Sequence, residues 1–134
     1  MIPSANAALL ADIKVITMPS KQHEMVLDSN RILGMCDKLN AVKQTVFKIL
    51  NTERYDYLIY SWNYGIELKD LFGKSPMYVC PEISRRVKEA LSQDDRITDV
   101  DNFEYDISKN GVVSVTFTVH TIFGDLNEEM VVNI

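Results

Sequence analysis

The sequence predicts an α+β fold: a three-stranded antiparallel meander at the C-terminus, packed against two to three helices, with an extended N-terminal arm. Three observations carry this expectation. Apolar residues recur every three or four positions in two stretches between residues 38 and 91. Beyond residue 97 the period becomes two, as a half-buried strand requires. Two turn signals, Lys109-Asn110-Gly111 and Gly124-Asp125, divide that alternating region into three strands.

Residues 1–35 read as an arm with short strands, and residues 36–134 as one globular domain. Within the arm, 13–18 is an apolar β-prone run stopped by Pro19, and 24–33 is extended with a turn at Asp28-Ser29-Asn30. Asp37 is a helix N-cap. Leu39, Val42, Val46, Ile49 and Leu50 then form one face of a helix over 38–51, with Lys43, Gln44 and Lys48 mostly on the other side. The segment 52–64 is too irregular for a helix. Leu68, Leu71 and Phe72 suggest a short helix ended by Gly73 as a left-handed cap. Pro81 suits the first turn of the next helix, whose stripe is Ile83, Val87, Ala90 and Leu91, with Arg85, Arg86, Lys88 and Glu89 facing outward.

Register in the meander follows from burial. A two-residue Asn110-Gly111 turn would place the apolar sets of the first two strands on opposite faces. A three-residue loop with Gly111 left-handed instead pairs Ile107 with Val113, Tyr105 with Val115 and Phe103 with Phe117. For the second turn, a two-residue Gly124-Asp125 loop pairs Phe123 with Leu126, Val119 with Met130, Phe117 with Val132 and Val115 with Ile134. His120 falls on the outward face of the central strand, beside Thr118.

The chain has 134 residues and a net charge of −5, so nucleic acid is a poor partner, because phosphate recognition needs a basic face. No apolar stretch approaches the roughly 20 residues that span a bilayer, and residues 1–10 lack the basic and apolar regions of a signal peptide. Cytoplasmic synthesis is therefore expected, with Cys36 and Cys80 as reduced thiols. No glycine-rich phosphate loop and no Cys or His spacing for a metal occurs, so no cofactor, metal or catalytic residue is assigned. Glu53, Glu67, Asp94 and Asp95 are candidates for a glycosidase acid pair by count alone; nothing in their spacing favours a cleft.

Two clusters point to partners instead. At the junction of the last helix and the sheet stand Asp94, Asp95 and Arg96. They are either turn residues, with Arg96 offsetting acids at a helix C-terminus, or a site where Arg96 makes a bidentate contact to a partner, which is the favoured reading. Between the helices, Arg54 is followed by five amphipathic rings, Tyr55, Tyr57, Tyr60, Trp62 and Tyr64. These either fill space between helices and sheet or anchor an interface.

Three stretches, 50–55 (LNTERY), 60–65 (YSWNYG) and 94–97 (DDRI), resemble in order and spacing the XkdS-like proteins of Bacillus-type contractile-tail prophages. Those proteins fall within the wider group of phage baseplate wedge proteins once labelled lysozyme-like, and the similarity covers about 22–134. A Glu-Pro-Arg signature of that group corresponds to Asp94, Asp95 and Arg96, with Asp95 in place of proline. The resemblance implies a structural baseplate wedge subunit of a contractile phage tail or tail-like particle, assembled in the bacterial cytoplasm. Its partners would be other wedge proteins, tube or hub proteins, and the sheath protein, whose polymerisation it would start. The residues support this independently. The last strand contains Met130, Val131, Val132, Asn133 and Ile134, with no charge, proline or bulge signal, and such an edge suits strand addition. A peptidoglycan-cleaving lysozyme-like enzyme is the alternative reading.

Overall fold

The computed structural model describes Ile16 and residues 19–134. Within it, strands β1 (Gln22–Val26) and β2 (Arg31–Cys36) form a hairpin, followed by helix α1 (Lys38–Leu50), helix α2 (Pro76–Leu91) and strands β3 (Ile97–Ile107), β4 (Val112–Thr121) and β5 (Gly124–Asn133). The three long strands make one antiparallel sheet in the order β3-β4-β5. The expected α+β class is therefore the observed one. The strand expected at 13–18 lies outside the described residues, except Ile16, which belongs to no strand.

The first hairpin turns as its sequence suggests. Leu27–Ser29 is a 3-10 turn, and Asn30 is left-handed at φ 50. Asparagine tolerates that conformation better than most residues. The ladder is irregular between His23 and Met25. There the Gln44 amide of α1 substitutes for a strand. It accepts from the Met25 N–H at 2.8 Å and donates to the His23 carbonyl at 2.7 Å.

Asp37 caps α1 as expected, accepting from the Lys38 N–H at 2.7 Å. Helix α2 begins five positions before the expected start. Pro76, not Pro81, takes the first helical position, and Pro81 lies inside the helix. Its missing N–H orphans the Met77 carbonyl, on a residue that is 90% exposed, so water can satisfy it. A proline on the wet side of a helix is thus tolerated, and Val79 joins the apolar stripe. Arg86 also departs from expectation: it is buried rather than outward-facing.

Both helices cover one face of the sheet. Val42, Val46 and Ile49 from α1 and Ile83, Val87 and Leu91 from α2 meet Val113, Val115, Phe117 and Val119 of the central strand. Each such side chain contributes about 1.5–3 kcal/mol when fully buried. An exposed ion pair contributes about 0–1 kcal/mol, so helix-on-sheet burial holds the fold. On the opposite face, His120 bridges Asp101 and Asp125, both at 2.8 Å, tying all three strands together. The two carboxylates hold its imidazole above its ordinary pKa.

The β3–β4 register agrees with expectation near the turn: Ile107 pairs with Val113 and Tyr105 with Val115. Gly111 is left-handed at φ 75. Phe103 stacks on Phe117 with centroids 5.5 Å apart, although the ladder shifts there between Asp101 and Glu104. The β4–β5 register does not agree. Thr121 pairs with Gly124, so the two-residue turn is Ile122-Phe123, and Val119 faces Leu126 while Val113 faces Val132. Relative to expectation the strand has slid by four positions. An even slip keeps every side chain on its face, so matching apolar faces cannot discriminate the two registers. Met130 and Val132 are indeed inward and Val131 outward. The slip's consequence is that Glu128, not Val132, stands opposite Phe117.

Gly111 should resist substitution, because a Cβ there would lie 2.6 Å from the Ile134 carbonyl oxygen and φ is positive. Gly111→Ala is expected to lower stability by about 2 kcal/mol, measured by urea denaturation. A loss below about 0.5 kcal/mol would show that the hairpin relaxes freely.

Candidate functional site

The helix-to-sheet junction is closed from within. The Arg96 guanidinium donates to both Asp94 carboxylate oxygens, through Nε at 2.9 Å and Nη2 at 2.7 Å. The Arg96 N–H also donates to Asp94 at 2.9 Å. Nη2 further reaches Thr45 Oγ1 on α1 at 3.1 Å, and the Gln22 amide of β1 donates to that oxygen at 3.3 Å and to the Ala41 carbonyl at 2.6 Å. Side-chain exposure is 15% for Arg96 and 11% for Asp94. The bidentate contact expected with a partner is therefore made inside the chain, and of the three signature positions only Asp95 is exposed. Burial acts to raise the Asp94 carboxyl pKa, but the hydrogen bonds from Arg96 hold it below the ordinary value. That is the wrong direction for a general acid.

Arg54 is engaged in the same way. Its Nε and Nη2 donate to the Gly65 carbonyl at 3.2 and 3.1 Å, and Nη1 pairs with Glu89 at 3.0 Å. With 9% side-chain exposure it is a structural clamp rather than a contact residue. It closes the base of a loop whose ends are joined by the Arg54 N–H to Ile66 carbonyl bond at 3.1 Å and the Ile66 N–H to Thr52 carbonyl bond at 3.0 Å. Gly65, at φ 94, lets these backbones approach: a Cβ would meet the Thr52 oxygen at 2.5 Å. Next to it, the Glu53 carboxylate accepts from the backbone N–H groups of Leu68 and Lys69. Arg86 fastens the following segment, donating to the Asp70 carboxylate and, at 2.8 Å, to the Glu67 carbonyl.

The aromatic loop held by this clamp does not fill the core. Leu58, Ile59 and Trp62 are 103%, 85% and 82% exposed. Tyr60 stacks on Tyr64 at 4.3 Å, and Tyr55 meets Trp62 edge-on at 6.4 Å, so the rings brace one another rather than the interior. Tyr64 alone packs partly against the core. A clamped loop with clustered exposed apolar side chains is a candidate interaction surface. Leu58 and Ile59 were not singled out from sequence, because an apolar pair in a loop carries no periodic signal.

The third candidate surface is the outer edge of β5. Ten consecutive residue pairs join β5 to β4 without a bulge. The Ile134 N–H donates to the Gly111 carbonyl at 2.7 Å, so even-numbered residues of β5 bond toward β4. Strand alternation turns the N–H and C=O groups of Asn127, Glu129, Val131 and Asn133 outward. Among the described residues these groups have no backbone partner. Of the expected contact positions, Val131 and Asn133 thus present free backbone, whereas Met130 and Val132 are core and Ile134 packs partly against it. Strand β3, at the other edge, is interrupted twice, between Ile97 and Asp99 and between Asp101 and Glu104. Bulges blunt an edge.

Within β5, Glu128 points inward toward α1, and among the described residues its buried Oε1 has no hydrogen-bond partner. Burial pushes its carboxyl up, against the opposing effect of Lys43. The alternation that placed Met130 inward also places Glu128 inward, so this residue was legible in the sequence and was missed. Cys36 and Cys80 are free thiols, as expected.

Arg96→Ala is now expected to destabilise the fold by about 3 kcal/mol, since it leaves the Asp94 carboxylate sequestered without its cation. Because the Asp94 pKa is depressed in the folded state, the stability it confers is present above about pH 4 and lost as pH falls through its folded value. Acid denaturation of the wild type should therefore show a component that Asp94→Asn abolishes. An unchanged acid limb would exclude the ion pair as its source.

The sequence matches the family described as contractile injection system sheath initiator over residues 14–124. Phage-like element PBSX protein XkdS of Bacillus subtilis (strain 168) is 39% identical over 118 residues, covering 84% of this chain and 82% of that relative. The chain belongs to the sheath initiator family of contractile injection systems, and its role is that of a structural component of a contractile tail.

Proposed function

We propose that this protein is a baseplate wedge subunit that joins the wedge core through its aromatic loop and starts sheath assembly by accepting a strand at β5. The regular, unbulged outer edge of β5 carries this reading. It supplies outward N–H and C=O groups from four residues in a row of alternate positions, which an extended segment can pair without side-chain chemistry. Met130 and Val132 fix that edge to the core, so the acceptor is rigid before the partner arrives. The aromatic loop is a separate surface. Its exposed Trp62 and Tyr60 are residue types that anchor interfaces, Leu58 adds exposed apolar area, and Asp95 at the junction adds an exposed carboxylate. The assembled protein would reside in the baseplate of a virion or tail-like particle, among wedge, tube or hub, and sheath proteins.

Two substitutions should separate the two surfaces. Val131→Pro removes an N–H that points away from β4, so the monomer should fold, and finished baseplates should lack polymerised sheath in electron micrographs. Trp62→Ser alters a side chain that is 82% exposed, so stability should change by less than about 0.5 kcal/mol while incorporation into baseplates falls. Full-length sheath on Val131→Pro particles would refute strand addition; normal incorporation of Trp62→Ser would refute the loop's role.

A cell-wall hydrolase is expected to be absent. Asp94 is paired with Arg96, Glu53 is bonded to two backbone N–H groups, and neither is free to act as a proton donor. Pure protein should release no muropeptides above a heat-inactivated control, and any release that Asp94→Asn abolishes would overturn this assignment.

A further inference from the structure

An edge strand that recruits another strand needs a means to reject the wrong one, and one group beside β5 has the chemistry for it. Glu128 lies on the inner face of β5, two positions before Met130, so its side chain enters the space between the sheet and α1. Among the described residues its Oε1 has no hydrogen-bond partner, although it is shielded from solvent. Lys43 is close enough to influence it, and among the described residues the two form no ion pair. A buried carboxylate oxygen left without a partner costs free energy in the isolated subunit, and a cation supplied from outside the chain would recover that cost.

The surroundings show where that contact would come from. A groove of about 480 Å³ opens along the free edge of β5, bounded by Glu128, Met130 and Val131 on one side and by Phe47, Leu50 and Phe72 on the other. Phe47 and Phe72 are 40% and 54% exposed, so that side of the groove presents uncovered phenyl rings, while Asn51, Glu53 and Glu129 add polar groups, two of them acidic, to its lining. A strand laid against β5 would send alternate side chains into this groove, and the one opposite Glu128 would stand about 5 Å from it, Cβ to Cβ.

Resting on the strand-addition reading above, we propose that the added strand carries a lysine or arginine that seats against Glu128, next to an apolar residue packed on Phe47, Leu50 and Phe72. The cation satisfies the orphaned oxygen, and the aliphatic stem of the same side chain covers the phenyl rings. A strand with an acid or an aliphatic residue at that position leaves the carboxylate buried and unpaired, which disfavours it. Glu128 thereby sets the register of the incoming strand as well as its identity. An inward charge on an edge strand also discourages self-association until the proper partner neutralises it.

The test measures binding of the purified sheath subunit of the same particle to the full-length protein by calorimetry. The variants are Glu128→Gln and Val131→Pro, with the Glu128 carboxyl followed by carbon-13 NMR. Glu128→Gln should weaken binding roughly tenfold or more while the melting temperature of the free protein stays level or rises. The Glu128 carboxylate should be ionised in the complex. If Val131→Pro abolishes binding but Glu128→Gln binds as the wild type does, the cation contact is wrong and strand addition stands. If both variants bind as the wild type does, strand addition itself fails, and this proposal with it. A carboxyl that stays neutral in the complex overturns the proposal. So does one already ionised in the free protein and unchanged by sheath, because its partner would then lie within the chain.

Discussion

The contact between Arg96 and Asp94 is the constraint on which the rest of the arrangement depends. It sits where α2 ends and β3 begins, and it fixes the direction in which the chain enters the sheet. Through Thr45 and Gln22 the same guanidinium fastens α1 and the first hairpin to that junction. Four elements thus take their relative positions from one planar cation. An arginine suits this task because its donors lie in one rigid plane and match a carboxylate two to two. The apolar core supplies most of the free energy, but apolar contacts alone do not choose among neighbouring orientations.

Three arginines, Arg54, Arg86 and Arg96, serve internal fastening. Each grips a carbonyl or carboxylate at the base of an irregular segment, where backbone groups would otherwise lack partners. The surfaces proposed for partners are of a different kind: the exposed rings and aliphatic side chains of the 54–65 loop and the outer backbone edge of β5. A loop clamped at both ends by Arg54 and Gly65 can display Trp62 and Leu58 in a fixed place at little further cost in ordering on binding.

The two edges of the sheet are treated unequally. Strand β3 carries two register breaks, whereas β5 runs ten residues in step with β4. The asymmetry has a chemical counterpart: the inner face of β5 is apolar except at Glu128. The regular edge, with its one inward acid, is the one that the proposed strand addition would use. A bulged edge accepts few partners.

Much of this was written in local pattern. The change of apolar period placed the helices and strands, Asp37 marked the start of α1, and Gly111 with the alternating pairs fixed the first turn of the meander. The inward and outward faces of β5 were likewise legible, because alternation survives any even slip. What local pattern did not contain was long-range choice. The β4–β5 turn fell at Ile122-Phe123 rather than Gly124-Asp125, since both registers bury the same face and alternation alone does not tell them apart. The start of α2 at Pro76 puts Pro81 inside the helix, which the exposure of Met77, four residues earlier, makes tolerable. The partners of Arg54, Arg86 and Arg96 also lay beyond reach. A charged residue reads the same in sequence whether its counter-ion sits across an interface or, as for Arg96 and Asp94, two residues away, and only the folded chain decides which is nearer.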